Sequence, residues 1–366
     1  MTVTSRPPRR RSRLTSLLAT MATPHHVDRY LELVDPLLRI DDMRAEVVRA
    51  ERRAPDTVTL TLRPTRHWAG FLPGQFVQVG VVIDGVRHTR CFSPANSAAR
   101  GDVVELTVKA HPDGFVSRHL VDHAKPGDVL DLEQADGAFH LPAERPERIL
   151  LVSGGSGITP VMAMLRTLVD EGYDGTVTFV HYSRSMADVA YRDELDRIAR
   201  EVPGVDVVYG FPDSADAGRL DGLFGMHHLD AVAPWYREAP TYLCGPPALM
   251  NAVREGYRDA GIDELLHTEE FTPPAIVPDD DAGGEIHFSR SDVRAESTGA
   301  ATLLEQAEAA GLTPEYGCRM GICFTCTSVK KTGCTKNVRT GETDTESDKE
   351  IQLCVSVPVG DVTLDI

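Results

Sequence analysis

The sequence predicts a multidomain fold: an antiparallel β-barrel, then an α/β unit built around a parallel sheet, then a small cysteine-bearing module. Three observations predict it. From residue 41, short alternating runs such as "AEVVRAE", "TVTLTLRP" and "QFVQVGVVI" follow one another, with Pro and Gly between them and no helical period. That is the pattern of antiparallel strands. From about residue 145 the rhythm becomes strand then helix: "RILLVSGG" before "ITPVMAMLRTLVDEG", "TVTFVHYS" before "YRDELDRIAREV", "PTYLCGP" before "ALMNAVREGYRDAG". Such alternation calls for a parallel sheet with helices on its faces. Beyond residue 284, "EIHFSRSDVRAES" reads as a hairpin and "ATLLEQAEAAG" as a short helix ending at Gly311, followed by three cysteines within nine residues.

These changes of texture divide the 366 residues into an N-terminal basic tail and helix (1–39), the barrel (40–144), the α/β unit (145–272), a linker (273–284) and the C-terminal module (285–366). In the tail, Arg6, Arg9, Arg10, Arg11 and Arg13 precede a mildly apolar stretch that Thr15, Ser16 and Thr20 interrupt, and no A-x-A cleavage pattern follows. The segment therefore reads as a disordered basic tail and not as an export signal. Its charge suits peripheral contact with an anionic lipid surface. "HHVDRYLELVDPLLRI" then reads as a short amphipathic helix stopped at Pro36, and "TPPAIVPDDDAGG", with almost nothing to bury, as the linker.

A formal net charge of −17 argues against nucleic acid as a partner. No apolar run reaches the length of a membrane-spanning helix. The expected location is cytoplasmic, at most peripheral to the inner face of the membrane, and the expected state is a monomer.

Seven cysteines, an odd number crowded towards the C-terminus, favour metal or redox chemistry over a disulfide framework. The spacing is Cys318-x4-Cys323-x2-Cys326, followed after 27 residues by Cys354. A zinc ribbon wants two C-x2-C knuckles, and only one pair here has that spacing. C-x4-C-x2-C…C is the plant-type spacing for a [2Fe-2S] cluster. Gly317 and Gly321 let the backbone wrap close to inorganic sulfide and aim N–H groups at it. Hairpin, helix, cysteine loop and terminal strand "DVTLDI" resemble plant-type ferredoxins with a β-grasp fold. By that resemblance Cys318, Cys323, Cys326 and Cys354 are the ligands. Cys334, in "KKTGCTKN", falls outside the spacing and is expected in a loop.

Such a module needs an electron source upstream. In "RCFSPANS", Arg90, Phe92 and Pro94 share one face of an expected strand. A helix expected to start near Ser117, with Gly114 before it, offers unpaired N–H groups to a pyrophosphate. "LLVSGGSGITPVMAML" sets Gly154, Gly155 and Gly157 between a strand and a helix, a turn that lets a nucleotide phosphate approach backbone N–H groups, although Pro160 departs from G-x-G-x-x-G.

With these motifs the chain resembles the ferredoxin-NADP reductase superfamily. Its flavin signature Arg-x-aromatic-Ser matches Arg90, Phe92 and Ser93, with Phe where Tyr is commoner, and its diphosphate turn matches Gly114, Val116 and Ser117. Its nucleotide-domain strings match Gly154 to Pro160, including Thr159, and Cys244, Gly245 and Pro246. The resemblance implies that Arg90 pairs with the flavin diphosphate, Phe92 lies along the ring, Ser93 bonds near its reactive nitrogen, and Cys244 orients the nicotinamide. FAD is expected over FMN. Ser183 and Arg184, with Arg192 along the next helix, place positive charge where a 2′-phosphate would lie, so NADPH is expected over NADH. Phe271 or Glu270, in "HTEEFTPP", is expected to cover the flavin ring.

The implied function is electron transfer from NADPH through FAD and a [2Fe-2S] cluster to an oxygenase. Domain order and the basic N-terminal extension resemble actinobacterial NADPH-dependent reductases that serve membrane-bound di-iron acyl-CoA desaturases or alkane hydroxylases. A reductase for a Rieske or haem oxygenase using NADH is the alternative. A non-catalytic flavin and iron–sulfur redox sensor is a second.

Overall fold

The computed structural model describes residues 37, 43–111, 114–212, 218–271, 283–297 and 299–366. The expected basic tail and helix (1–39, Leu37 apart) and most of the expected linker lie outside the described residues. Among the described residues no helix is long and apolar enough to cross a membrane.

Strands β1 (Arg44–Ala54), β2 (Thr57–Pro64), β3 (Val77–Ile83), β4 (Val86–Phe92), β5 (Val104–Lys109) and β6 (Val129–Leu132) form an antiparallel sheet in the order β4-β3-β6-β1-β2-β5. Alternation makes it curl around one core. Val58, Leu60 and Leu62 of β2 and Val104, Leu106 and Val108 of β5 turn inward, while Thr59 and Thr107 meet through a 2.8 Å hydroxyl contact. The edges join just past β4, where the Ala95 N–H donates to Glu105 O at 2.8 Å and Asn96 Oδ1 accepts from the Glu105 N–H. That closure gives the expected barrel. Helix α1 (Phe115–His123) buries Val116, Leu120 and Val121 in its core.

The second unit is a parallel sheet in the order β11-β10-β7-β8-β9, from β7 (Arg148–Gly154), β8 (Thr176–Tyr182), β9 (Val205–Gly210), β10 (Thr241–Cys244) and β11 (Leu266–Glu269). Helices α2 (Ile158–Asp170), α3 (Arg192–Glu201), α4 (Met226–Val232) and α5 (Pro247–Ala260) accompany it. Its strands are continuous apolar runs because both faces are covered: Ile149 and Leu151 enter one core, Leu150 and Val152 the other. Helix α2 is buried nearly all round because it lies between sheet and barrel, with Ala163 in the barrel core and Met162 and Met164 in the sheet core.

Arg166 of α2 clamps the two units. Its guanidinium donates to Ala95 O and Glu105 Oε1, each at 2.7 Å, and to both Glu194 oxygens at 2.6–2.8 Å. Its guanidinium carbon lies 4.7 Å from the Tyr191 ring centre. Tyr191 OH in turn donates to Thr107. Burial opposes the charge on Arg166, but Glu194 and Glu105 outweigh it and raise its pKa.

In the C-terminal unit, β12 (Gly284–Phe288), β13 (Val293–Ser297), β14 (Thr327–Asn337), β15 (Thr343–Asp344) and β17 (Ser356–Leu364) run in the order β13-β12-β17-β14-β15, with β16 (Lys349–Gln352) against β14. Helix α6 (Leu303–Ala309) begins with a reciprocal Thr302–Glu305 cap and packs Leu303, Leu304 and Ala307 on the sheet. The β12–β17 pair is parallel. A mixed sheet with one helix on it is the expected β-grasp.

Three local expectations need correction. Strand β4 ends at Phe92, so Pro94 lies beyond it. Helix α1 starts at Phe115, two residues before Ser117. Cys334 lies in β14 opposite Val359, not in a loop. The Gly and Lys residues around it look like turn chemistry, but a register shift at Gly333/Cys334 absorbs them within the strand.

Candidate functional site

The end of β4 and the start of α1 open on a cavity of about 640 Å3. Arg90, Phe92 and Ser93 line one side, and Gly114, Val116 and Ser117 another. Gly114 caps α1 with extended backbone, so the first N–H groups of that nine-residue helix face the cavity without helical partners. Ser117 Oγ accepts from the His111 N–H at 3.2 Å and donates to Gly114 O at 3.2 Å, which fixes the turn. A guanidinium, a helix start and an aromatic wall fit a flavin nucleotide.

A second cavity of about 500 Å3 adjoins the first, and both are lined by Thr107, Lys109, Ser156 and Thr159. Gly154, Gly155, Ser183, Arg184 and Pro246 line it. Gly157 lies beneath: a Cβ there would sit 2.3 Å from Cys244 O and 2.7 Å from the Gly245 nitrogen. The turn after β7 can therefore touch the turn after β10 only with glycine at this position. Pro160 is buried in the first turn of α2, where its missing N–H costs nothing. Arg184 pairs with Asp188 at 3.5 Å, and both line the cavity. Arg192 is not among its lining residues; it sits at the start of α3, 3.7 Å from Asp196.

Cys244 is fully buried at the end of β10, and burial first, then Glu269 and Glu270, push its thiol well up. Its cross-strand neighbours are Ser153 on β7 and Glu269 on β11. Glu269 reaches the flavin cavity, where its carboxyl accepts from Ser93 Oγ at 3.2 Å. The expectation placed a residue of "HTEEF" here but missed this one. Glu270 instead pairs with Arg254, while Phe271 lines the cavity and packs on the α/β core. No local sequence signal separates Glu269 from Glu270; the β10–β11 register places it beside Cys244.

Burial pushes the Glu269 carboxyl up to about 8, and the Ser93 bond and the charge of Arg339 offset only part of that. The folded chain thus holds a proton that the unfolded chain has released above its ordinary value of 4.5. The contribution of this group to stability is complete below about pH 4.5 and is lost as pH rises through about 8. Glu269→Gln, which keeps the shape without the titration, is expected to gain melting temperature relative to the parent between pH 5 and pH 9. A melting difference that stays constant across that range contradicts the assignment.

The cysteine loop brings Cys318, Cys323, Cys326 and Cys354 together. Backbone N–H groups aim at the sulfurs: Cys318 at Cys323 Sγ (3.2 Å), Met320 at Cys318 Sγ (3.3 Å) and Cys354 at Cys326 Sγ (3.4 Å). Hydrogen bonds from Cys323, the largest contribution, and from Cys354 and Cys91 hold the Cys318 thiol well below the usual range. Convergent sulfurs with amide donors fit a [2Fe-2S] cluster. The loop docks on the barrel: Thr325 Oγ1 donates to Gln78 Oε1 at 3.3 Å, and a Cβ on Gly317 would lie 2.8 Å from both Gln78 Oε1 and Cys323 Sγ. Cys318, Arg319, Met320 and Ile322 complete the wall of the flavin cavity.

A flavin cavity, an adjoining nucleotide cavity and a thiolate loop in contact with the first define an NAD(P)H-dependent flavin iron–sulfur oxidoreductase. Residues 44–141 match the Oxidoreductase FAD-binding domain, 151–255 the Oxidoreductase NAD-binding domain, and 286–359 the 2Fe-2S iron-sulfur cluster binding domain. The chain is 36% identical over 357 residues to an NADPH oxidoreductase of Mycobacterium tuberculosis (strain ATCC 25618 / H37Rv), covering 96% of this chain and 92% of that protein. It is 30% identical over 336 residues to the stachydrine N-demethylase reductase subunit Stc4 of Rhizobium meliloti (strain 1021), covering 87% and 95%. Phthalate dioxygenase reductase, a modular structure for electron transfer from pyridine nucleotides to [2Fe-2S], shares the fold with a TM-score of 0.60 at 23% identity, covering 89% of this chain and 98% of that one. The chain belongs to the ferredoxin-NADP reductase superfamily, in the group with a C-terminal [2Fe-2S] domain, and its cofactors are FAD, NAD(P)H and the cluster.

Proposed function

We propose that the chain is an NADPH-dependent reductase for an oxygenase, specifically a membrane-bound di-iron acyl-CoA desaturase or alkane hydroxylase. The supporting observation is the position of the cluster loop. One side packs on the flavin strand through Thr325 and Gln78. On the other, Phe324 is 54% exposed with a left-handed φ of 58°. A bulky residue in that backbone conformation, with its ring in water, is costly for folding alone and suits contact with a protein acceptor.

In this reading Arg90 and the α1 start hold the flavin diphosphate, Phe92 lies on the ring, and Phe271 covers it. Ser93 is held by Glu269 with its hydroxyl near the reactive edge. Cys244 stays neutral below the nicotinamide position and excludes water from it. When bound, FAD would supply the conversion between the two-electron hydride of NADPH and the one-electron cluster. The functional units follow the divisions at 40–144, 145–272 and 285–366, and the basic tail brings the protein to the inner face of the membrane.

Arg184 and Ser183 support NADPH, because a guanidinium accommodates a 2′-phosphate. Arg184→Ala is expected to raise KM for NADPH roughly tenfold, and that for NADH much less. Equal losses for the two would remove the assignment. The mycobacterial relative, an NADPH oxidoreductase, points the same way. The relationship to an N-demethylase reductase subunit favours a second reading, a Rieske or haem oxygenase partner using NADH. Reconstitution decides between them: NADPH-driven turnover with a di-iron membrane enzyme supports the first, and turnover only with a Rieske or haem enzyme supports the second.

A further inference from the structure

Among the described residues, the charged side chains that line the nucleotide cavity are Lys109, Arg184 and Asp188. Lys109 lines the flavin cavity as well, so it belongs to the end the two cavities share. Arg184 and Asp188 line the nucleotide cavity alone, and both come from the segment that leaves β8 after Tyr182. A single turn, Met186–Asp188, carries the chain back so that the carboxylate meets the guanidinium. Arg184 Nη2 lies 3.5 Å from Asp188 Oδ1, while Ser185 Oγ donates to Asp188 Oδ2 at 2.8 Å. The Asp188 N–H donates to Ser185 O at 3.2 Å. One carboxylate oxygen is thus held by its own turn, and the other is left to the arginine.

The two groups make opposite demands on an adenosine ribose. A guanidinium accommodates a 2′-phosphate, whereas a carboxylate accepts a hydrogen bond from a free 2′-hydroxyl and repels a phosphate. At 3.5 Å the pair is longer than a tight charge-assisted hydrogen bond, and its side chains are 73% and 35% exposed. Such a contact is weak enough for a phosphate dianion to part it. We propose that Asp188 is a specificity-determining residue that competes with the 2′-phosphate of NADPH for Arg184 and accepts from the 2′-hydroxyl of NADH. The cavity then takes both nucleotides, with a smaller preference for NADPH than Arg184 alone would give. The inference rests on the reading of Arg184 as the partner of the 2′-phosphate.

The test uses the full-length holoprotein and its Asp188→Asn, Arg184→Ala and Arg184→Ala/Asp188→Asn variants, titrated calorimetrically with 2′,5′-ADP and 5′-AMP as redox-inert probes. Asp188→Asn keeps an oxygen for the Ser185 hydroxyl and loses only the charge. It is expected to bind 2′,5′-ADP roughly threefold to fivefold more tightly and 5′-AMP roughly threefold less tightly. The ratio of kcat/KM for NADPH to that for NADH should rise about tenfold in parallel. With Arg184 already replaced by Ala, the gain for 2′,5′-ADP should shrink to below about twofold, because no guanidinium remains to be released. A full gain in that background overturns the competition. So do unchanged affinities in Asp188→Asn, or an equal change for both probes, which would make the effect one of loop shape. If Arg184→Ala weakens both probes equally, the 2′-phosphate reading falls and takes this inference with it. If Arg184→Ala discriminates between the probes and Asp188→Asn does not, this inference alone is lost.

Discussion

Cys318→Ser is expected to strip the chain of nearly all its iron while leaving its flavin in place. Cys318 is the hub of the loop: Cys323, Cys354 and Cys91 all reach its sulfur, and the Met320 N–H points at it. A serine oxygen is harder and less readily ionised, so the shared thiolate set is broken at its centre. The flavin residues Arg90, Ser93 and Ser117 belong to the barrel, where bonds to His111 and Gly114 fix Ser117 without the loop. Reduction of a one-electron protein acceptor is therefore expected to fall at least about 100-fold, while NAD(P)H still bleaches the flavin at close to the parental rate. Iron analysis with stopped-flow absorbance checks both halves. A variant that loses flavin bleaching as well would show the two centres to be one structural unit.

The second large effect is at Gly157. A Cβ there would meet Cys244 O at 2.3 Å, Cys244 C at 2.4 Å and the Gly245 nitrogen at 2.7 Å. These are backbone atoms at the end of a central parallel strand, so no side chain can swing away to relieve the clash. Gly157→Ala is expected to cost about 3 kcal/mol and to lower the melting temperature by roughly 6–12 °C. It should weaken NAD(P)H binding as well, because the two turns that line the nucleotide cavity are forced apart. Gly155→Ala is the control. Its φ is 53°, but a Cβ there meets nothing within 4 Å, so a cost of only about 1 kcal/mol is expected. Thermal denaturation of the pair checks the contrast, and equal destabilisation would place the cause in backbone conformation instead of close approach.

The fold and the thiolate set were legible because their signals are local. Strand alternation, the βα rhythm and the C-x4-C-x2-C spacing each sit within a short window, and the backbone follows them directly. Residues whose placement depends on distant pairing were not legible. Glu269 meets Ser93 across 176 positions of sequence, and only the β10–β11 register brings it beside Cys244. Nothing in "HTEEF" distinguishes it from Glu270, which turns to Arg254 instead. Cys91 reads as an ordinary strand residue until the cluster unit is docked on the barrel, a contact that no sequence period encodes. Arg192 illustrates the reverse: a plausible charge near a nucleotide motif, placed at the helix start beside Asp196 and away from the cavity lining. Its position follows from where α3 begins, and helix boundaries are the weakest part of such a reading.

A reductive titration of the anaerobic protein with NADPH, followed by absorbance and EPR together, bears most directly on the idea that a flavin and a two-iron centre share one chain of electrons. Uptake of about three electrons per chain, two by the flavin and one appearing as a reduced [2Fe-2S] signal, is the predicted result. Uptake of about two, with a bleached flavin and no paramagnetic iron, would contradict it.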